Sequence, residues 1–509
     1  MRDWIVTTGL GRLRGAQSPA GVGICRGVPY AASTAGAGRW SPPAPAAAWV
    51  GERDARWPGP ICPQPARPFS EWAHGPLAPA AEDCLSANVF SPPGDGPHPV
   101  FVFLHGGGWA LGWGSNPLLE GERLARRLDA VVVTINYRLG SLGWLWHPDL
   151  AVDPLGPAGN WGLLDQLAAL RWVAEHISAF GGDPARVTLA GESAGAGSVL
   201  HLLSQPDAAG LFGRAIVQSP PLHELVVDAE LGRSWSEAMF ARLAGGALAG
   251  GGGVRSRLKA LRELPVQTIV DCHEELLATP AFRGTRGGAM PIVDPASLPA
   301  DPAQVPGASA EIPVLIGTNS AEGTFFFRAG GRRVAPDEER LEEMVANLAG
   351  AEDARGLIAA ERERAAAAGR AVSANDVLCA IVTEAWFSGP VRRWSAARAA
   401  AGADVHRYLI EHPAAEDDLG ATHSIDVPLL FESWRDGGVA GRLAGEGDAV
   451  AAVSDMLTTD WRRFVHSETM DWPPLQADGQ AGRMAVYGAP GTPRAIADVS
   501  SEGARPVTA

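Results

Sequence analysis

The sequence predicts an α/β fold: a mostly parallel, doubly wound sheet covered by helices and interrupted by helical cap insertions. Two observations carry this expectation. Short, continuous apolar runs alternate with stretches of helical periodicity, as expected of strands buried on both faces. Several of these runs also end in clusters of glycine and polar residues, where crossovers begin. Val100–Leu104 (VFVFL) and Ala130–Ile135 (AVVVTI) read as two such strands. Gly162–Ala179 follows, with Leu163, Leu167, Leu170, Val173 and Ile177 spaced by three or four residues along one helix face. Arg186–Ala190 (RVTLA), Ala215–Gln218, Ile312–Gly317 and Val405–Ile410 read as later strands.

Two regions break the alternation. The segment at about 222–311 includes Gly245–Gly253, with six glycines in nine residues, which reads as a surface loop. Residues 337–400 are rich in Ala, Glu and Arg and read as helical. Neither has the make-up of an independent domain. The expectation is one α/β core over residues 1–509, with these two insertions covering a pocket. The stretch after about 490 is rich in Gly, Pro, Ala and Ser and is expected to be loose.

Composition excludes several classes of function. With 46% hydrophobic residues over 509 positions the chain can bury a large core. A net charge of −15 offers no electrostatic footprint for nucleic acid or an anionic membrane surface. Cys25, Cys62, Cys84, Cys272 and Cys379 form no CxxC pair and no spacing suited to zinc. The N-terminal MRDWIVTTGLGRLRG has no long apolar core of a secretory signal, and no run of about 18 apolar residues occurs. The expectation is a cytoplasmic chain, a monomer or weak homo-oligomer, without metal or organic cofactor.

The sharpest local pattern is Gly191-Glu192-Ser193-Ala194-Gly195, directly after RVTLA and before the helical AGAGSVLHLL. A G-x-S-x-G between strand and helix is the context of a nucleophile elbow. The chain turns sharply there, small neighbours admit the close backbone approach, and the serine is presented at the turn. The plainer alternative is a glycine-rich turn with a capping serine. The second pattern is His105-Gly106-Gly107-Gly108-Trp109 at the end of VFVFL. Glycines leave backbone N–H groups unobstructed to converge on one spot, as a tetrahedral oxyanion requires. This loop is the partner needed by the N–H after the nucleophile, here that of Ala194. His105 reads as a brace of the loop.

A nucleophilic serine needs a base, and the base an orienting acid. In a strand–elbow–helix fold the chain order is serine, acid, histidine. His201, His223, His273, His406, His412, His423 and His466 follow Ser193. His201 falls on the helix leaving the elbow and His406 inside a strand, so both read as structural. Topology leaves His412 and His423 open. Glu322 lies just past a strand's carboxyl end, where α/β sheets place their sites; Asp294 competes with it. Asp426 follows His423 and has the wrong order.

The chain resembles the type-B carboxylesterases, a family that includes bacterial para-nitrobenzyl esterases, liver carboxylesterases and cholinesterases. The resemblance runs through RGVPYA (26–31), RWSPP (39–43), ICPQ (61–64), EDCLSANVF (82–90), HGGGW, NYRLGSLGWL (136–145) and GNWGLLDQLAALRWV (159–173). It continues in FGGDPARVTLAGESAGAGS (180–198), IGTNSAEGTFFF (316–327) and THSIDVPLLF (422–431). It implies an α/β-hydrolase fold and hydrolysis of a small-molecule carboxylic ester. It implies Ser193 as nucleophile, Glu322 as acid, His423 as base, and Gly107, Gly108 and Ala194 as oxyanion donors. Amide, carbamate or thioester hydrolysis by the same triad is the first alternative, and a non-catalytic binding protein of the same fold the second. Ser86 and Ala87 depart from the family pattern, with consequences for packing. The resemblance also implies a Cys62–Cys84 bridge, which a reducing compartment would oppose. It further implies Trp72 as a substrate contact, and Arg39–Glu82 and Arg138–Asp165 as buried structural pairs.

Overall fold

The computed structural model describes residues 2–151, 155–243, 254–282, 287–348, 354–416, 418–476, 482–488 and 491–499. Gly245–Gly253 lies outside the described residues. The chain forms two compact units.

The first unit comprises Met1–Asn116, Asp129–Gly213 and Leu225–Ser309. Its strands are β1 (Arg2–Thr8), β2 (Gly11–Gln17), β3 (Gly23–Pro29), β4 (Glu52–Asp54), β5 (Ser86–Ser91), β6 (His98–Leu104), β7 (Val131–Ile135) and β8 (Gly182–Glu192). They run in the order β1-β2-β3-β5-β7-β6-β8, with β4 beside β2. β6 pairs in parallel with both β7 and β8. Val100–Leu104 and Val131–Ile135 are buried throughout, which is why both read as unbroken apolar runs. The N-terminal strands pair antiparallel, β1 with β2, β2 with β3, and β3 with β5. The helix expected over Gly162–Ala179 spans Trp161–His176, and a 3-10 turn carries it on to Phe180.

Two ion pairs, the first partly buried and the second buried, fix the geometry of this unit. The Arg39 guanidinium donates to both Glu82 oxygens at 2.7 Å. Arg138 donates to Asp165 from Nε at 2.7 Å, from its terminal nitrogen at 2.6 Å and from its backbone N–H at 3.0 Å. Such pairs specify an arrangement more than they add net stability. Cys62 and Cys84 are both buried thiols. Cys62 Sγ accepts the Leu139 N–H at 3.3 Å. A hydrogen bond to Cys62 and burial hold the Cys84 thiol well above its ordinary range.

The second unit comprises Pro117–Leu128, Arg214–Glu224 and Ala310–Ala509. Its strands are β9 (Arg214–Gln218), β10 (Val314–Asn319), β11 (Val405–Ile410), β12 (Arg483–Tyr487) and β13 (Arg494–Asp498). β9, β10, β11 and β12 pair in parallel in that order. The described residues of the region at 337–400 carry, as expected, helices at Glu338–Leu348, Ala354–Ala367, Ala374–Val382 and Gly389–Ala400. A π-helical turn, Thr383–Ser388, joins the last two. Of the stretch after about 490, expected to be loose, residues 491–499 are described and supply β13, antiparallel to β12, while 500–509 lie outside the described residues. The reason is a charge cluster. Arg494 donates to Asp460 at 2.7 and 2.8 Å and to Asp471 at 2.6 Å, and the Tyr487 hydroxyl donates to Asp460 at 2.7 Å. Among the described residues no helix is long and apolar enough to cross a membrane.

Candidate active site

The first unit carries the elbow and the glycine loop. β8 runs directly into Ser193, and the helix Ala194–Leu203 leaves it. Ser193 has φ 55° and ψ −123°, a conformation that L residues rarely adopt. Its neighbours show why they are small. A Cβ on Gly191 would stand 2.5 Å from the Gly195 carbonyl carbon, and one on Gly195 would meet the Leu104 carbonyl at the end of β6. The Gly197 N–H donates to the Ser193 carbonyl at 2.9 Å and starts the helix.

The glycine loop packs against this turn. A Cβ on Gly106 would lie 3.1 Å from the Cβ of Ser193. Gly107 and Gly108 have φ 114° and 63°, so the loop takes a path that favours glycine. The N–H groups of Ala110 and Leu111 both donate to the Gly107 carbonyl, at 3.1 and 3.0 Å. Trp109 Nε1 donates to Ser198 Oγ at 3.0 Å and ties the loop to the elbow helix. His105 is the brace the sequence suggests. Its ring stacks on Tyr137 at 4.3 Å and burial lowers it to about 4, so it stays neutral.

The second unit carries a buried acid–imidazole pair. Glu322 begins a short helix just past β10 and is fully buried. Its Oε2 lies 2.6 Å from His423 Nδ1. Its Oε1 accepts the Asn319 N–H at 2.7 Å and the Ser219 hydroxyl at 2.6 Å. Three partners therefore hold one carboxylate in one orientation. Phe325, Phe326 and Phe387 surround the imidazole, with centroids 5.5, 5.3 and 4.9 Å away.

The competitors are engaged elsewhere. His412 Nε2 is 2.8 Å from the Ala444 carbonyl, and burial lowers the ring's proton affinity. Asp294 closes its own turn, accepting from the Ala296 and Ser297 N–H groups at 3.0 Å and from Trp146 Nε1 at 3.0 Å. His201 Nε2 pairs with the Leu225 carbonyl at 2.9 Å. His406 packs against Trp472 and Phe464. Trp72, in the helix Pro68–His74, is half-buried and stacks on Phe69 at 5.8 Å.

Sequence reasoning missed Ser219 and the support around Asp426. Ser219 follows β9, and its only sequence signal is a polar residue at a strand's carboxyl end. Gln218 Nε2 donates to Asp426 at 2.7 Å. Burial, with the Glu322 charge nearby, raises the Asp426 carboxyl to about 6, while the Gln218 hydrogen bond and His423 oppose the rise. A folded-state value above the ordinary one of about 3.9 favours the protonated fold. The associated stability is present below that ordinary value and lost as pH rises through about 6. Asp426→Asn keeps an acceptor for Gln218 and removes the charge. It is therefore expected to stabilise the protein more at pH 8 than at pH 5, read as urea-unfolding midpoints. An equal shift at both pH values would mean that the buried charge is not the cause.

Among the described residues no group of three His, Cys, Asp or Glu is placed to hold a metal ion. The first unit offers a strained serine beside a glycine loop, and the second a histidine in contact with a buried acid.

Comparison with known proteins agrees in family. The family model described as the carboxylesterase family matches residues 2–480. The chain is 33% identical to the para-nitrobenzyl esterase of Bacillus subtilis over 487 residues, covering 93% of each protein. It is 32% identical to the phenmedipham hydrolase of Pseudarthrobacter oxydans over 504 residues, 96% of this chain and 94% of that protein. The crystal structure of a Geobacillus stearothermophilus carboxylesterase superposes with a TM-score of 0.82 at 32% identity, covering 99% of both chains. The fold is that of the α/β-hydrolases. With residues 2–480 matched by the family model and 99% of the chain covered by the solved structure, the chain belongs to the carboxylesterase family, the hydrolases of carboxylic esters.

Proposed function

We propose that the chain hydrolyses a small-molecule ester through a Ser193–His423–Glu322 triad and an acyl-enzyme. The observation that supports this most is the buried 2.6 Å contact of Glu322 Oε2 with His423 Nδ1. It keeps a proton on Nδ1 and leaves Nε2 as the basic nitrogen. In the proposed cycle His423 Nε2 takes the Ser193 hydroxyl proton as Oγ attacks the ester carbonyl. The oxyanion is met by the N–H groups of Gly107, Gly108 and Ala194, at the start of a helix whose dipole favours negative charge there. The imidazolium returns its proton to the departing alcohol. Water, deprotonated by the same nitrogen, then releases the carboxylic acid and Ser193.

The scheme uses no metal or organic cofactor, because serine, imidazole and backbone amides supply nucleophile, proton carrier and charge stabilisation. The insertions at 222–311 and 337–400 and the Trp72 helix are the proposed walls of the substrate pocket. The test is a fluorophosphonate probe followed by peptide mapping. One adduct, on Ser193, is expected; an adduct on another serine would refute the assignment.

A further inference from the structure

The rings around His423 belong to a longer aromatic surface that the proton-transfer scheme does not use. Phe326 and Phe387 lie nearly parallel, 6.0 Å apart at 16°. Trp386 stands edge-on to Phe326 at 5.7 Å. His223, at the end of the segment that follows β9, stacks face to face on Trp386 at 4.7 Å and 4°. Its Nδ1 lies 3.2 Å from the Trp386 carbonyl. Phe387 is buried, whereas Phe326, Trp386 and His223 are each half-buried. The surface thus leads from the imidazole outward as ring upon ring.

The backbone under it is irregular in a way that needs a reason. Trp386 and Phe387 sit on the π-helical turn Thr383–Ser388, and such turns are rare and concentrate at functional sites. The turn is tied to the helix that bears Glu322. The Gly323 N–H donates to Thr383 Oγ1 at 2.9 Å, and Thr383 Oγ1 donates to the Cys379 carbonyl at 2.8 Å. One side chain therefore locks the position of the aromatic pair to that of the acid.

We propose that Trp386, supported by His223 and continued by Phe326 and Phe387, is a specificity-determining surface for esters that carry an aromatic ring. Ring faces and edges bind another ring in offset or edge-on geometry more strongly than they bind a saturated ring of the same size. This inference rests on the assignment of His423 as the base, since it is the base that brings the substrate to this surface.

The test compares matched esters in two arms. The acyl arm uses methyl phenylacetate against methyl cyclohexylacetate, and the alcohol arm benzyl acetate against cyclohexylmethyl acetate. Each kcat/KM is divided by that ester's alkaline hydrolysis rate. One arm is expected to favour the aromatic ester by about fivefold or more, the scale of one ring pair. Trp386→Leu is expected to bring that ratio close to one, His223→Leu to reduce it, and Trp386→Phe to retain most of it. The ratio is taken within each enzyme, so a loss of folded material does not distort it. Ratios near one in both arms of the wild-type enzyme, or a ratio unchanged in Trp386→Leu, would overturn the inference. The fluorophosphonate label separates the two assignments. A Ser193 adduct with both ratios at one sinks the aromatic surface alone; an aromatic preference without a Ser193 adduct sinks Ser193 as nucleophile alone.

Discussion

Ser193→Ala is expected to cut kcat by about 10⁴–10⁶ while the protein stays folded. Members of a triad act as a unit, so removing the nucleophile costs nearly as much as removing the whole set. Alanine is the right replacement at this turn. It has the same backbone restriction as serine at φ 55°, so it changes the hydroxyl and little else. Whatever rate remains is expected from the proposed oxyanion donors and from binding. The measurement is kcat on a chromogenic ester, together with circular dichroism and the fluorophosphonate adduct. Activity within tenfold of wild type would end the case for Ser193.

His423→Ala is expected to fall nearly as far, and His412→Ala to retain most of its activity. His412 already faces the Ala444 carbonyl at 2.8 Å, which is a structural contact. Glu322→Gln makes a finer test of the same pair. Asn319 N–H points at Oε1, so that position demands an oxygen. The amide of a glutamine must then turn its NH₂ toward His423 Nδ1. That nitrogen would become an acceptor and the proton would move to Nε2, the wrong tautomer for a base. A loss of about 10³–10⁴ in kcat is expected, as for amide replacements at the orienting acid elsewhere. If His412→Ala and His423→Ala exchanged places, the base would be His412.

The sequence is legible where a residue's role is local. β6, β7 and β11 announce themselves because both faces are buried, and the elbow because strand, serine and helix are contiguous. The glycine loop is legible for the same reason. The edge strands are not. β1 (RDWIVTT) buries only Val6, and β13 (RAIAD) buries none of its residues, so neither shows the continuous apolar run of a central strand. In the site, Ser219 escaped notice because its role depends on register. β9 and β10 pair Gln218 with Gly317, and the Ser219 N–H donates to the Gly317 carbonyl at 2.9 Å. That pairing delivers the hydroxyl to Glu322, 103 residues further along the chain. Motif spacing holds no trace of it. The choice between His412 and His423 is open to topology for the same reason; the family resemblance implies His423, and the Ala444 contact of His412 and the Glu322 contact of His423 support that reading.

The elbow also has an evolutionary side. A side chain at φ 55° and ψ −123° is a standing cost, on the order of 1–3 kcal/mol, that a glycine would not bear. On the proposed triad, drift toward a more durable protein is thus pulled to a replacement that removes the nucleophile, and selection for turnover is what keeps serine there. A library of variants ranked by heat resistance alone would accumulate glycine at 193, and its best survivors would be inert.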